Sequence, residues 1–432
     1  MPTALESKST FFRQGGWMVI ATVGSGVFLW AVHLFSKIIP PAEYGVMGTM
    51  FQLLNCMSIP AIGLQMVFAQ QSAAVINEEQ HRQLAAAARA VAKAVFVLWL
   101  AAVGVVAWRQ EQLVVLWKMS NPLTLWMTLG CALVLLWQPI LGGVAQGRQN
   151  FLWLGWASIA AGAGRFAGAG IIVMLLGGWA AGIVGAALLG VLASLVVLAW
   201  QGRDVFTGSA TGFVWSAWLR RVLPLTLGFG AGQVLFSADQ LFVQGSFSAA
   251  VTGPYTTAGT LARALVAFTG PLAAVMFSRV ARSVATKETT TMLPLTLGCT
   301  ALMAGGGALA LSMLSPFIIK LGFNPRFVTI APLVPWFAWA MVPLTLAFVL
   351  VNNLMARERF RVVPWLAAVA AGYVLTLWLR VPELAKLPDS LAAFRGVVQL
   401  LGGFNLLLLA VAAGFTWLPR SEQRTEPGQG QS

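Results

Sequence analysis

The chain reads as an all-α integral membrane protein of about twelve transmembrane helices, set out as two pseudo-symmetric six-helix bundles. Three observations predict this. Of 432 residues, 58% are hydrophobic and only 9% charged, a balance outside the range of soluble domains. The apolar residues come in long runs, not short alternating segments, and backbone amides in lipid need internal partners, so these runs must be helices. Finally, the two halves repeat. Tyr44, Gly48, Thr49, Leu54 and Pro60 recur as Tyr255, Gly259, Thr260, Leu265 and Pro271, each at an offset of 211. Arg148, Phe151 and Trp156 recur as Arg357, Phe360 and Trp365 at an offset of 209. Two separated patterns with nearly one offset point to one half copied into the other.

About 20 apolar residues suffice to cross a hydrocarbon core of about 30 Å. Such runs fall at 15–36, 44–69, 90–108, 123–145, 151–176 and 179–200, then at 222–244, 254–278, 292–314, 327–355, 362–379 and 395–417. The predicted division is a first bundle over 1–200, a cytoplasmic connector over 201–221, a second bundle over 222–417 and a polar, disordered tail over 418–432. The first run is too long for a signal h-region and lacks a small-residue cleavage site before Lys37, so it reads as a retained span. With the N-terminus inside, seventeen Lys and Arg fall on inner segments and eight on outer ones, which satisfies the positive-inside rule with both termini cytoplasmic. The net charge of +14 is therefore a topology signal. With no basic domain outside the membrane, nucleic acid is not expected as a partner.

Within the connector, Phe213 to Arg221 carries Trp215, Trp218 and two arginines, a composition that suits an amphipathic interfacial helix. Trp residues near span ends fit aromatic belts. Cys56, Cys131 and Cys299 lie inside spans, which suggests neither a disulfide framework nor a metal cluster. No cofactor is expected. Glycine pairs such as Gly164/Gly168 and Gly228/Gly232 suit close helix packing. Pro60 and Pro271 occupy equivalent positions, where each is either a static kink or a bend that lets the span ends swing.

Ionisable groups at membrane depth usually face a cavity or a partner. Arg165, Arg263 and Asp239 are three such groups, with both arginines deeper than the acid. Arg263 has Gln52 as its counterpart in the first half. Tyr44, Gly48, Gln52 and Asn55 share one helix face, and Gln233, Ser237, Gln240 and Gln244 form a polar stripe beside Asp239. Pseudo-symmetric packing would turn these stripes toward one cavity whose arginines favour phosphate or pyrophosphate oxygens. The expected substrate-binding residues are therefore Arg165, Arg263, Gln52, Asn55, Gln233, Ser237 and Gln240. Asp239 is either a coupling residue or simply the ion-pair partner of Arg263 across the hairpin of spans seven and eight. His33 reads as an interfacial residue.

The six-plus-six arrangement, the Tyr-x3-Gly openings of spans two and eight, Asp239 near the end of span seven and the Gly147-Arg148-x-x-Phe151 turn together resemble a known group. This is the polysaccharide-exporter branch of the multidrug/oligosaccharidyl-lipid/polysaccharide (MOP) superfamily, with its Wzx-type O-antigen flippases. The resemblance implies a MATE-like fold in the bacterial cytoplasmic membrane. It implies export of a polyprenyl-pyrophosphate-linked oligosaccharide, an O-antigen or exopolysaccharide repeat unit, by alternating access. Membrane lipids, H+ or Na+ as a coupling ion, and polysaccharide assembly proteins are the further partners it suggests. A MATE-type drug/cation antiporter is the alternative on the same fold; it would want an acid deep in a bundle, and spans one to six hold none well inside the membrane. A membrane glycan polymerase or ligase is disfavoured by the short outer loops and the lack of a His/Asp/Glu cluster, so no enzymatic activity is expected.

Overall fold

The computed structural model describes residues 4–73, 75–207, 212–286 and 292–417, and no strand occurs among them. The first span is α1 (Ala4–Ala31), continued by a 3-10 helix over Val32–Lys37. The second is a broken pair, α2 (Pro41–Met57) and α3 (Ile59–Ala73), bent by 42°. Then come α4 (Glu78–Leu116), α5 (Leu123–Gly147), α6 (Phe151–Leu176), α7 (Trp179–Gln201) and the short α8 (Arg203–Thr207). The second half follows with α9 (Trp215–Ser246), α10 (Ala249–Thr286), α11 (Met292–Gly322), a 3-10 helix over Pro325–Leu333 leading into α12 (Val334–Ala356), α13 (Val363–Leu384) and α14 (Ser390–Trp417).

Nine helices among the described residues are long and apolar enough to cross a membrane, and the bent α2–α3 pair makes a tenth. Helices α9 and α10, of 32 and 38 residues, have the length but carry the polar groups of the candidate site. Large apolar side chains stand outward, among them Leu98, Trp108 and Leu302, as lipid-facing surface requires.

The two halves pack alike. In the first, α1 lies on α6, α3 on α5, α4 on α5, and α7 on both α5 and α6. In the second, α9 lies on α13, α10 on α12, α11 on α12, and α14 on both α12 and α13. Span for span these are the same neighbours. The halves meet where α2 packs on α9 and α10, and α3 on α9.

The repeat extends to backbone detail. Helix α5 ends at Arg148 and α12 at Arg357. The next residues, Gln149 and Glu358, both take left-handed conformations, with φ of 56° and 53°. In each turn the following amide reaches back to the last helical turn: Asn150 N to Ala145 O and Arg359 N to Leu354 O, both 2.9 Å. This is a Schellman-type stop built without glycine.

Two expectations are corrected. Residues Trp215 to Arg221 do not form a separate surface helix; they are the first turns of α9, with Trp218 buried against Phe68. The Pro60/Pro271 equivalence also fails at the backbone. Pro60 has no N–H and crowds the preceding turn, and α2 breaks there, with Ser58 Oγ donating to the Asn55 carbonyl at 2.9 Å. By contrast α10 runs through position 271 as one helix. The expected tail over 418–432 lies outside the described residues.

Candidate functional site

The end of the bundle holding the N-terminus is termed proximal, and the opposite end distal. Helices α2 and α3 run against α9, with Thr49 of α2 opposite Gln240 and Ile59 at the start of α3 opposite Gly230. That register places Gln52 and Asn55 at the level of Gln233 and Ser237. Just above the break at Ser58, Asn55 Nδ2 donates to Gln52 Oε1 at 3.1 Å, and Gln233 Nε2 donates weakly to Ser237 Oγ at 3.4 Å. Gln52, Asn55 and Gln233 are half-buried, whereas Ser237 is fully enclosed.

Deeper in the second half is a charged cluster. Arg263 Nη2 donates to both oxygens of Asp239 at 2.7 Å, and its Nε donates to Phe236 O at 2.7 Å. Tyr255 O–H donates to Asp239 Oδ2 at 2.6 Å. The side chains of Arg263 and Asp239 are 5% and 0% exposed, and the guanidinium also stands 5.1 Å from the Phe337 ring centroid. Arg263 is thus not a free cation in this state. The carboxylate accepts three short bonds, which is what a charge removed from water requires. Gln240 is equally enclosed: its amide donates to Thr256 Oγ1 at 2.8 Å and Thr49 Oγ1 at 3.3 Å, and its Oε1 has no partner.

Arg165 belongs to the other half. Its guanidinium carbon lies 3.7 Å from the centroid of the Phe51 ring on α2. Its Nε is enclosed without a hydrogen-bond partner, and no acid pairs with it among the described residues. Close approach of α6 and α7 sets its position, because a Cβ at Gly190 would strike Ala161 O and crowd Arg165 N. The two arginines share no partner: Arg165 stands on Phe51, and Arg263 on Asp239, Phe236 and Phe337. The register sets Gln52 and Asn55 at the level of Gln233 and Ser237, and hydrogen bonds join Asp239 to Arg263 and Tyr255.

The distal end is shut by contacts between the halves. A Cβ on Gly48 would strike Thr256 Cγ2, and one on Gly253 would strike Pro41 O; α2 and α10 approach this closely only because glycines stand there. Lys118 Nζ donates to Gln244 O (2.5 Å) and Gly245 O (3.1 Å) at the end of α9. Lys37 Nζ donates to Leu321 O at the end of α11 (2.6 Å). Each lysine of the first half thereby satisfies carbonyls at a helix C-terminus of the second. Burial holds the Lys118 ammonium below the usual lysine range. His33 Nδ1 and Tyr44 O–H share a 2.8 Å hydrogen bond beneath this seal, so His33 is an internal partner of the Tyr44 motif. Glu43, absent from the sequence-based site, is buried with Oε2 accepting from Ala180 N, at the start of α7, at 3.2 Å.

Helix α1 packs chiefly on α6, leaving Ile20, Val23 and Val27 exposed, and Phe268 near the middle of α10 is likewise exposed. One surface tie at the proximal end is strong: Arg148 binds Asp204 through Nη1 at 3.0 Å and Nη2 at 2.6 Å, and His81 Nε2 lies 2.9 Å from the same carboxylate. The Arg148 hydrogen bonds, helped by His81 and the Arg148 charge, hold Asp204 well below the usual carboxylate range. No group of three or more His, Cys, Asp or Glu able to hold a metal gathers among the described residues.

Compared with known proteins, the architecture has clear counterparts. An inward-facing MATE-family multidrug resistance transporter of the MOP superfamily matches with a TM-score of 0.71 at 12% identity, over 91% of this chain and 93% of that one. The fold is MATE-like. The lipid II flippase MurJ, in an inward closed conformation, matches with a TM-score of 0.66 at 12% identity, over 92% and 87%. An outward-facing MATE-family transporter matches with a TM-score of 0.64 at 13% identity, over 94% and 93%. No family model matches the sequence, and no curated protein does.

Proposed function

We propose that this multi-pass membrane protein is a transporter that works by alternating access. Its proposed substrate is a polyprenyl-pyrophosphate-linked oligosaccharide, flipped across the bacterial cytoplasmic membrane with both termini inside. The observation that carries the reading is the charge balance of the two halves. Of the buried acids among the described residues, Asp239 is already neutralised by Arg263 and Glu43 sits at the distal start of α2, bonded to Ala180 N, while Arg165 has no acidic partner among those residues. The interior of the first half therefore favours an anion, and a guanidinium fork suits phosphate oxygens. The half-buried residues Gln52, Asn55 and Gln233 would contact sugar hydroxyls at the meeting of the halves, and the lipid tail would stay in the bilayer. The closed distal end fits a state shut toward that side. In this reading 1–200 and 222–417 are the moving bodies.

The same fold carries the alternative of an ion-coupled antiporter for cations, and one observation favours it: Asp239 is an acid buried within a span. The two readings part in one experiment. The full chain is reconstituted in proteoliposomes and offered either a labelled polyprenyl-pyrophosphate oligosaccharide or a cationic dye under a proton or sodium gradient. Flipping of the glycolipid, reduced at least tenfold in Arg165→Ala, with no dye accumulation, is expected. Dye export that Arg165→Ala leaves intact overturns the flippase reading.

A further inference from the structure

Between α12 and α14, on the outer surface of the second half, lies a cavity of about 630 Å³. Its walls are Trp336 and Trp339, and Val398, Gly402, Gly403 and Leu406 close it from the α14 side. The tryptophans are about half exposed (48% and 50%), so they stand as two posts and not as packed core. Gly402 lets α14 approach Ala340 closely, whereas a Cβ on Gly403 would meet nothing within 4 Å. The groove is therefore open space bounded by apolar surface, of a size typical of ligand sites.

One end of this groove is charged. Arg395, Gln399, Gly402 and Leu406 follow helical spacing and share one face of α14. The Arg395 guanidinium carbon lies 5.9 Å from the Trp336 ring centroid, and its Nε is enclosed without a hydrogen-bond partner. The nearby acids are engaged elsewhere, Glu383 with Arg380 and Asp389 with Leu391 N. Arg395 lies near the start of α14 and Trp336 near the start of α12, so the cation sits at the membrane-interface end and the apolar trough runs inward. A cation at headgroup depth above an apolar trough complements a molecule with an anionic head and a hydrocarbon chain.

We propose that this groove is a binding site for one anionic phospholipid. Its phosphodiester rests on Arg395 and Gln399, and an acyl chain lies between the tryptophans over Gly403. Tryptophan suits this position, having an apolar body for the chain and an N–H for the headgroup level. The site faces lipid, apart from the meeting of the halves, and the assignment does not depend on what the protein transports.

The test uses the purified full-length chain, stripped of lipid in detergent and supplied with dioleoylphosphatidylglycerol or dioleoylphosphatidylcholine, with retained lipid counted by native mass spectrometry. One phosphatidylglycerol should be retained in preference to phosphatidylcholine. Arg395→Gln should cut that preference about fivefold, the factor matching ~1 kcal/mol for one basic residue at a lipid surface. Gly403→Leu, which fills open space and should leave thermal stability unchanged, should displace both lipids. Unchanged preference in Arg395→Gln overturns the proposal, as does full retention in Gly403→Leu. So does tighter retention of a polyprenyl phosphate than of phosphatidylglycerol, which would make the groove a substrate site.

Discussion

Arg263 offers the sharpest test of the interior, through a cycle of Arg263→Met, Asp239→Asn and the double variant. Arg263 makes three contacts of 2.7 Å, two to Asp239 and one to Phe236 O, all enclosed. Methionine fills much of the guanidinium's volume, so the single change mainly strands the carboxylate, with only Tyr255 O–H left as a partner. Breaking a buried pair from one side costs about 3–5 kcal/mol. Removing both charges leaves a neutral amide at position 239 that can still accept from Tyr255, so the double variant should recover at least half of the loss. The assay is the thermal unfolding midpoint in detergent at one fixed scan rate, because membrane proteins rarely unfold reversibly. Each single variant should fall by several degrees, and the double variant should fall by less than either. Additive losses would refute the pair, since uncoupled sites add within about 0.3–0.5 kcal/mol. A transport assay on the same variants separates roles. If the double variant also restores flipping, Arg263 is a structural partner of Asp239; stability restored without transport makes Arg263 a substrate or coupling residue.

Loosening the distal seal by Lys118→Met, or prying it open by Gly48→Val against Thr256, should raise thiol labelling of a cysteine placed at position 52, beneath the seal, from the distal side at least threefold; unchanged labelling would show that the seal lies elsewhere. Gln149→Gly and Glu358→Gly relieve side chains held at positive φ and should each stabilise by about 1 kcal/mol, read as a raised unfolding midpoint; a lowered midpoint in both would refute the strain. The folded pKa of Asp204 is depressed, so its stabilisation is present above the unfolded value of about 3.9 and is lost as pH falls toward the folded value. Asp204→Asn should therefore lower the midpoint at pH 7, and the gap to the unchanged protein should close below about pH 4; a gap independent of pH would dismiss the ionic account.

How much of this is legible in the sequence follows from which interactions are local. The offset of 211 announces duplication, and Pro60 announces the break in α2–α3, since a missing N–H acts within one turn. That Pro271 does not break α10 is a matter of tertiary context, which one residue cannot report. The Arg263–Asp239 pair is visible as an option, because the hairpin of α9 and α10 brings their depths within reach of an arginine. Tyr255 as a third member is not: its repeat position marks it as a motif residue and says nothing of its hydroxyl's partner. Lys37 and Lys118 enter the sequence reading only as counts for orientation, yet they cap helices some 284 and 126 residues away. Trp215–Arg221 misleads because an amphipathic surface turn and the exposed first turns of a span share one composition.

The ties at the distal end bear on mechanism. Several distal ties between the halves are small, reversible devices: a lysine on helix-end carbonyls, a Ser36 hydroxyl accepting from Asn324 N at 3.1 Å, or glycines against threonine methyls. They surround a buried aromatic contact, the Tyr44 ring of the first half against Phe323 and Phe327 of the second, with centroids 6.3 and 5.7 Å apart. A transporter needs its alternate states within a few kcal/mol, so that substrate binding can move the balance between them. The polar core contributes to the same balance, because Thr49 on α2 and Thr256 on α10 share the Gln240 amide of α9, and parting α2 from α10 must break one of those bonds. Gln240 Oε1 is left without a partner here, so the closed state already bears an unsatisfied buried acceptor, worth about 1–3 kcal/mol by the usual desolvation cost. Water reaching that oxygen on opening would offset the lost amide bond. The unsatisfied Gln240 acceptor thus lowers the cost of parting α2 from α10.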